Sequence, residues 1–179
     1  MANTFSDNIA SAPGGAYSAS YRRDSSKSHA RLRKKRMVLT TGAIITAGDT
    51  SVMGTFKSGD RLYDLRLSTS VGTTAGNVDI GLYKAPFDHI PVAANEIDAD
   101  LFSDALSVIT TLDRAEALTQ DGVIEDWQRG LTLWEMADHG PAATYAVDPM
   151  EDWDLVITHN ATTNAVQVYL LEADYVAIG

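Results

Sequence analysis

The chain has 179 residues, with 24 Asp and Glu against 14 Lys and Arg and a formal net charge of −10 at pH 7. Cysteine is absent, which excludes a disulfide framework, Cys-ligated zinc, thiolate catalysis and iron–sulfur chemistry, and fits a reducing compartment. No apolar run approaches the ~20 residues that cross a bilayer, and the opening MANTFSDNIASAPGG lacks the charged start and apolar centre of a signal peptide, so a soluble chain, intracellular at synthesis, is expected.

Charge is distributed unevenly. Residues 1–36 hold Arg22, Arg23, Lys27, Arg31, Arg33, Lys34, Lys35 and Arg36 against only Asp7 and Asp24, a local net of +6 that leaves −16 for the remainder. A basic arm on an acidic body is the pattern of an interaction tail. The acidic body would repel phosphate over most of its surface, so no direct nucleic-acid partner is expected. Through about residue 28 the composition is Ser, Ala, Gly and Asn, interrupted by Pro13-Gly14-Gly15. That segment has too little apolar surface to offset a backbone ordering cost of about 1–2 kcal/mol per residue. It is expected to be a flexible N-terminal arm, residues 1–28, with Phe5, Ile9, Tyr17 and Tyr21 spaced as anchors that order on a partner. The body then occupies residues 29–179.

Beyond Arg31 the chain reads as short β-like runs at 32–40, 51–56, 61–68, 77–84, 130–136, 143–147, 153–158 and 165–175. Their separators are rich in Gly, Asp, Asn, Ser and Thr, residues that tolerate turns, and the glycines 48, 54, 59, 72 and 76 are expected in those turns. Leu65 and Leu67 flank Arg66, and Val78, Ile80 and Leu82 share one face while Asp79 points away. The last segment repeats this rhythm at Val166, Val168 and Leu170, as a central strand would. Many short strands at this spacing predict an all-β fold: an antiparallel β-sandwich or jelly roll. Residues 85–128 are less β-like. Ile97, Leu101 and Phe102 fall at near-helical offsets, which predicts a short helix or ordered loop and then a long connection of the kind that carries function or an interface.

No motif carries catalysis. His29, His89, His139 and His159 are scattered and form no paired zinc motif. Asp88-His89 and Asp138-His139 each offer an oriented imidazole, but adjacent residues on a strand do not face one another, and surface loops are the expectation for both. Asp98-Ala99-Asp100 with Asp104 lacks the central Gly and later Glu of a calcium loop, and Glu151-Asp152 with Asp154 is a second acidic cluster beside Trp153. Solvated loop charge is expected at both, with no metal and no cofactor. No Gly-x-Ser-x-Gly elbow, GxGxxG or Walker A loop is present. Trp127, Trp134 and Trp153 are candidates for a sugar-stacking platform, with core packing the competing reading for Trp134.

The segment SHARLRKKRMVL has three readings: a phosphate contact, an edge strand protected by its own charge, or an arm anchor that adds to a neighbouring sheet. In the third, cations pair with carboxylates of that neighbour or of the chain's own acidic body. The third is favoured. It makes Tyr17, Tyr21, Arg22, Arg23, Arg31, Arg33, Lys34, Lys35 and Arg36 the candidate interface residues.

Taken in order, RLRKKRMVLTTGAIITAGDT, KSGDRLYDLRLSTS, GNVDIGLY, WDLVIT and VQVYLLEADYV resemble segments of tailed-bacteriophage virion proteins of the capsid decoration, or cement, type. The resemblance spans most of residues 32–176 and is weakest over 85–128. It implies a β-sandwich or jelly-roll body that associates as a trimer and clamps neighbouring major capsid subunits on the outside of the shell. It also implies partnership with the major capsid protein and with further copies of the chain, no membrane, and passage through the host cytoplasm during assembly. A head–tail joining or tail protein is the nearest alternative. A carbohydrate-binding host-recognition module using Trp127 or Trp153 is the alternative of a different class.

Overall fold

The computed structural model describes residues 31–41, 45–70, 76–86, 88–119, 124–138, 145–162 and 166–177. Eight strands account for most of them: β1 (Arg33–Thr40), β2 (Thr50–Lys57), β3 (Arg61–Thr69), β4 (Asn77–Lys84), β5 (Glu96–Ser107), β6 (Ala115–Glu116), β7 (Asp152–His159) and β8 (Val168–Val176). One short helix, α1 (Leu133–Asp138), lies between β6 and β7. The strands form two antiparallel sheets, β1-β8-β3-β6 and β2-β7-β4-β5.

The pairing has a simple rule. First pairs with eighth, second with seventh, third with sixth and fourth with fifth, as in one long hairpin folded at its middle. Wrapping that hairpin lays β8 onto β3 and β7 onto β4, and the product is the jelly roll. The body is therefore all-β, as the strand rhythm predicts, and β8 is a central strand.

The two inner faces supply the core. Leu65 and Leu67 from β3, Val78, Ile80 and Leu82 from β4, Leu101 and Phe102 from β5, Trp153, Leu155 and Ile157 from β7, and Tyr169, Leu171 and Ala173 from β8 are buried in one cluster. Each large aliphatic or aromatic side chain in it contributes about 1.5–3 kcal/mol of apolar burial. On β8 the inward set is Tyr169, Leu171 and Ala173, while Val168 and Leu170 lie partly exposed on the opposite face and Val166 precedes the strand. The alternation is present, one residue out of phase with the apolar rhythm of the sequence, because both faces of this strand carry apolar residues.

Three expected elements differ. The run at 130–136 is not a strand: Thr132 makes one isolated bridge to Arg61 and the chain then turns into α1. The cause is a capping box, Thr132-x-x-Glu135, in which Glu135 Oε2 accepts from the Thr132 backbone N–H (2.8 Å) and the Glu135 N–H donates to Thr132 Oγ1 (3.4 Å). Of the run expected at 143–147, residues 143–144 lie outside the described residues, and Tyr145 is irregular with bends at Ala146 and Val147 rather than strand. Between them and the core, Tyr145 packs on Trp153 with ring centroids 5.4 Å apart. Residues 96–107, expected as helix or loop, form the twelve-residue β5. Its pairing with β4 slips three times, Ala105 takes φ 53°, and the extra residues turn Leu101 and Phe102 both inward. A bulged strand thus reproduces helix-like apolar spacing.

Two glycines are set by close approach. Gly54, expected in a turn, lies within β2 at a bulge, where an added Cβ would stand 2.7 Å from Met37 Sδ as β1 folds over the edge of the opposite sheet. Gly81 in β4 lies beneath the bulge of β5, and a Cβ there would stand 2.1 Å from the Asp98 carbonyl oxygen.

Candidate interaction surface

Strand alternation divides the basic segment. On β1, Lys35, Met37 and Leu39 turn toward the interior while Lys34, Arg36 and Val38 point outward. The outward cations meet the chain's own acids: Lys34 lies 3.5 Å from Asp174 and Arg36 lies 3.5 Å from Glu172. Register extends this across the sheet. Arg36, Glu172, Arg66 and Glu116 stand side by side on β1, β8, β3 and β6, a row of alternating sign crossing all four strands. Arg114 also pairs with Glu172, Arg66 with Asp64 at 2.7 Å, and Arg129 with Asp126 at 3.0 Å and Glu116 at 3.3 Å. Exposed pairs of this kind contribute about 0.2–1 kcal/mol each; across a sheet they mainly fix register.

Lys35 does something else. Its Nζ donates to the Thr55 carbonyl at 2.5 Å and lies 4.4 Å from the centre of the Phe56 ring. Burial lowers its pKa, against the opposing pull of Asp60 and Asp154. It ties β1 to β2 across the corner of the sandwich. Of the candidate cations within the described residues, only Arg31 and Arg33 are exposed and form no ion pair with another described residue. Tyr17, Tyr21, Arg22 and Arg23, and with them the arm assignment, lie outside the described residues.

The acidic clusters separate in the same way. Around Trp153, Glu151 pairs with Lys84 at 3.4 Å and Asp152 with Lys57 at 2.6 Å. Asp154 is 1% exposed, and it accepts from Thr55 Oγ1 at 2.6 Å and lies 2.9 Å from His89 Nδ1. His89, held at φ 51°, is thus oriented by a carboxylate far along the chain and not by its neighbour Asp88. On β5, Glu96, Asp98, Asp100 and Asp104 form no ion pair with any described residue. Asp98 is 7% exposed, its Oδ1 accepts the Asp100 N–H at 3.3 Å, and its carboxyl also shares a side-chain hydrogen bond with that of Asp100. Burial first, and then Asp100, push its pKa up to about 7. Among the described residues, no three His, Asp or Glu side chains are grouped to hold a metal ion.

Other sequence candidates resolve individually. His159 is buried at the end of β7 with its pKa lowered by burial, and it lines an open recess of about 440 Å³ with Leu39, Thr41, Ile45 and Asp49. Trp153 is wholly buried, which overturns it as a sugar-stacking surface; it is the largest side chain of the core. Trp134 sits on α1, packed against the core. His29, His139 and the Trp127 side chain fall outside the described residues. No described helix is long and apolar enough to cross a membrane.

No protein-family model and no curated protein sequence matches the chain. Two solved structures share the fold. One is a chain of the cyanophage Pam1 capsid asymmetric unit, at TM-score 0.52 and 14% identity over 99% of both chains. The other is a chain of the capsid of Ralstonia phage GP4, at TM-score 0.55 and 12% identity over 83% of this chain and 86% of that one.

Proposed function

We propose that the chain is a non-enzymatic structural protein of a tailed-phage virion that decorates the outer capsid and stabilises contacts between major capsid subunits. The observation that carries the reading is the end-to-end likeness of its jelly roll to a chain of a phage capsid, over 99% of both, joined to the decoration-type sequence pattern. A cement protein works by many modest contacts and not by a pocket, because shell symmetry multiplies each one through effective concentration. The arm, residues 1–28, suits such a role. Tyr17 and Tyr21 anchor it, Arg22 and Arg23 steer it, and the cost of ordering is offset by extended contact across a subunit boundary. The major capsid protein and further copies of the chain, as a trimer, are its partners.

Cryo-microscopy of assembled particles tests the reading. Density for the jelly roll on the outer shell, bridging capsomers, is expected. Its presence only at the neck or tail would replace this function with the joining role.

A further inference from the structure

We propose that the turn leading into β2 is an acid-released clip: uptake of one proton by His159 frees residues 46–51 from the end of β7 while the sandwich around them stays folded.

The clip is made of backbone. His159 closes β7 opposite Val78 of β4, and two hydrogen bonds join it to the turn. Its N–H donates to the Asp49 carbonyl at 2.9 Å, and its own carbonyl accepts the Gly48 N–H at 2.7 Å. Within the turn the Asp49 carboxylate accepts the Thr46 N–H at 2.7 Å, and the Ala47 N–H donates to Thr162 Oγ1 at 3.2 Å. Residues 46–49 are all exposed, and Ile45 just before them is the buried apolar anchor. Few apolar contacts and solvent-exposed backbone bonds put such a segment at the low end of local stability. It can open without taking the core with it.

The proton-sensitive group is the imidazole of the same residue. His159 is 2% exposed, its Nε2 has no hydrogen-bond partner among the described residues, and its ring stands edge-on to Tyr169 with centroids 5.5 Å apart. A protonated ring in that place would carry a charge and an N–H donor with no acceptor, and an unpaired buried charge is strongly destabilising. The neighbours do not compensate. From β8, Tyr169 is neutral, its pKa pushed up to about 12 by burial, and its hydroxyl donates to Gln167 Oε1. From β4, Asp79 is already engaged by the Ala105 N–H at 2.8 Å and the Asn160 side-chain amide at 2.6 Å. Thr50 and Ser51 of β2 are uncharged. In the turn itself Asp49 pulls the other way, and burial outweighs it.

The open recess of about 440 Å³ that His159 shares with Ile45, Asp49 and Thr50 lies against the turn. A small outward movement of residues 46–51 lets water reach the ring and solvate the imidazolium. The open form therefore binds the proton more tightly than the closed form, and acid selects it. One proton raises the open fraction by up to about tenfold for each pH unit below the ordinary 6.5 of the ring.

Amide hydrogen exchange on the full-length protein at pH 7 and pH 5, corrected for intrinsic rates, tests the clip. Protection of the Gly48 and His159 amides is expected to fall by up to about thirtyfold at the lower pH. The Ala117 amide, bonded to the Leu65 carbonyl in the other sheet, keeps its protection. His159→Gln, neutral at every pH, is expected to abolish the pH dependence at Gly48. Should that variant fail to fold, the carbon-13 shift of the wild-type ring decides: titration below 6.5, in step with exchange, supports the clip. Protection at Gly48 that ignores pH, a dependence that survives in His159→Gln and so belongs to Asp49, a uniform loss of protection across the core, or a ring titrating at or above 6.5 would each overturn the proposal.

Discussion

Asp98 and Gly81 face each other across the bulge of β5, and each constrains the other. Because an added Cβ at Gly81 would meet backbone and not a mobile side chain, Gly81→Ala is expected to cost about 3 kcal/mol, the upper end of overpacking penalties. Urea unfolding measures it; a loss near zero would mean that the β5 bulge yields freely. Asp98 is the converse case, a carboxyl whose folded pKa, about 7, lies above its ordinary 3.8. Between those values the folded chain binds the extra proton, so Asp98 favours folding below about pH 4, and that contribution is lost as pH rises through 7. Asp98→Asn is expected to raise the melting temperature at pH 8, to change it little at pH 4, and to flatten the pH dependence between. Equal shifts at both pH values would rule out titration as the cause.

At the level of elements, β1 was legible in the sequence as an extended cationic run, but the destination of its cations was not. Which carboxylate faces Arg36 depends on the register of β1 with β8, a pairing of strands from opposite ends of the body. Glu172 is the junction of that row, nine-tenths buried and touched by both Arg36 and Arg114. Glu172→Gln is expected to lower stability by roughly 1–2 kcal/mol with an unchanged urea m-value. A cost no larger than that of Asp152→Asn, which breaks the exposed Lys57 pair, would show that the row does not organise the sheet. The helix α1 had a legible signal as well, in Thr132-x-x-Glu135, yet Leu131, Leu133 and Trp134 between polar residues read as strand alternation. The capping box prevails because it satisfies backbone donors locally, whereas a strand there would need a partner.

For the whole molecule, the described core is built from residues after Arg31, with Leu65, Ile80, Leu82, Phe102, Trp153 and Tyr169 fully buried in one cluster. Deleting residues 1–28 is expected to leave the melting temperature and cooperativity of the body intact while reducing binding to capsids. Loss of a cooperative melt in that truncation would contradict the division into arm and body.

The sequence by itself determined the all-β class, most strand positions and the charge asymmetry between its start and its body, since alternation, turn chemistry and composition are local properties. Tertiary structure alone decided that the strands wrap as a jelly roll, that Trp153 is core, and that Lys34 and Arg36 are neutralised within the chain. It also decided that β5 is a bulged strand, and that its acids form no ion pair with any described residue. Those outcomes depend on which distant strands become neighbours and in what register, and no short window of residues carries that information.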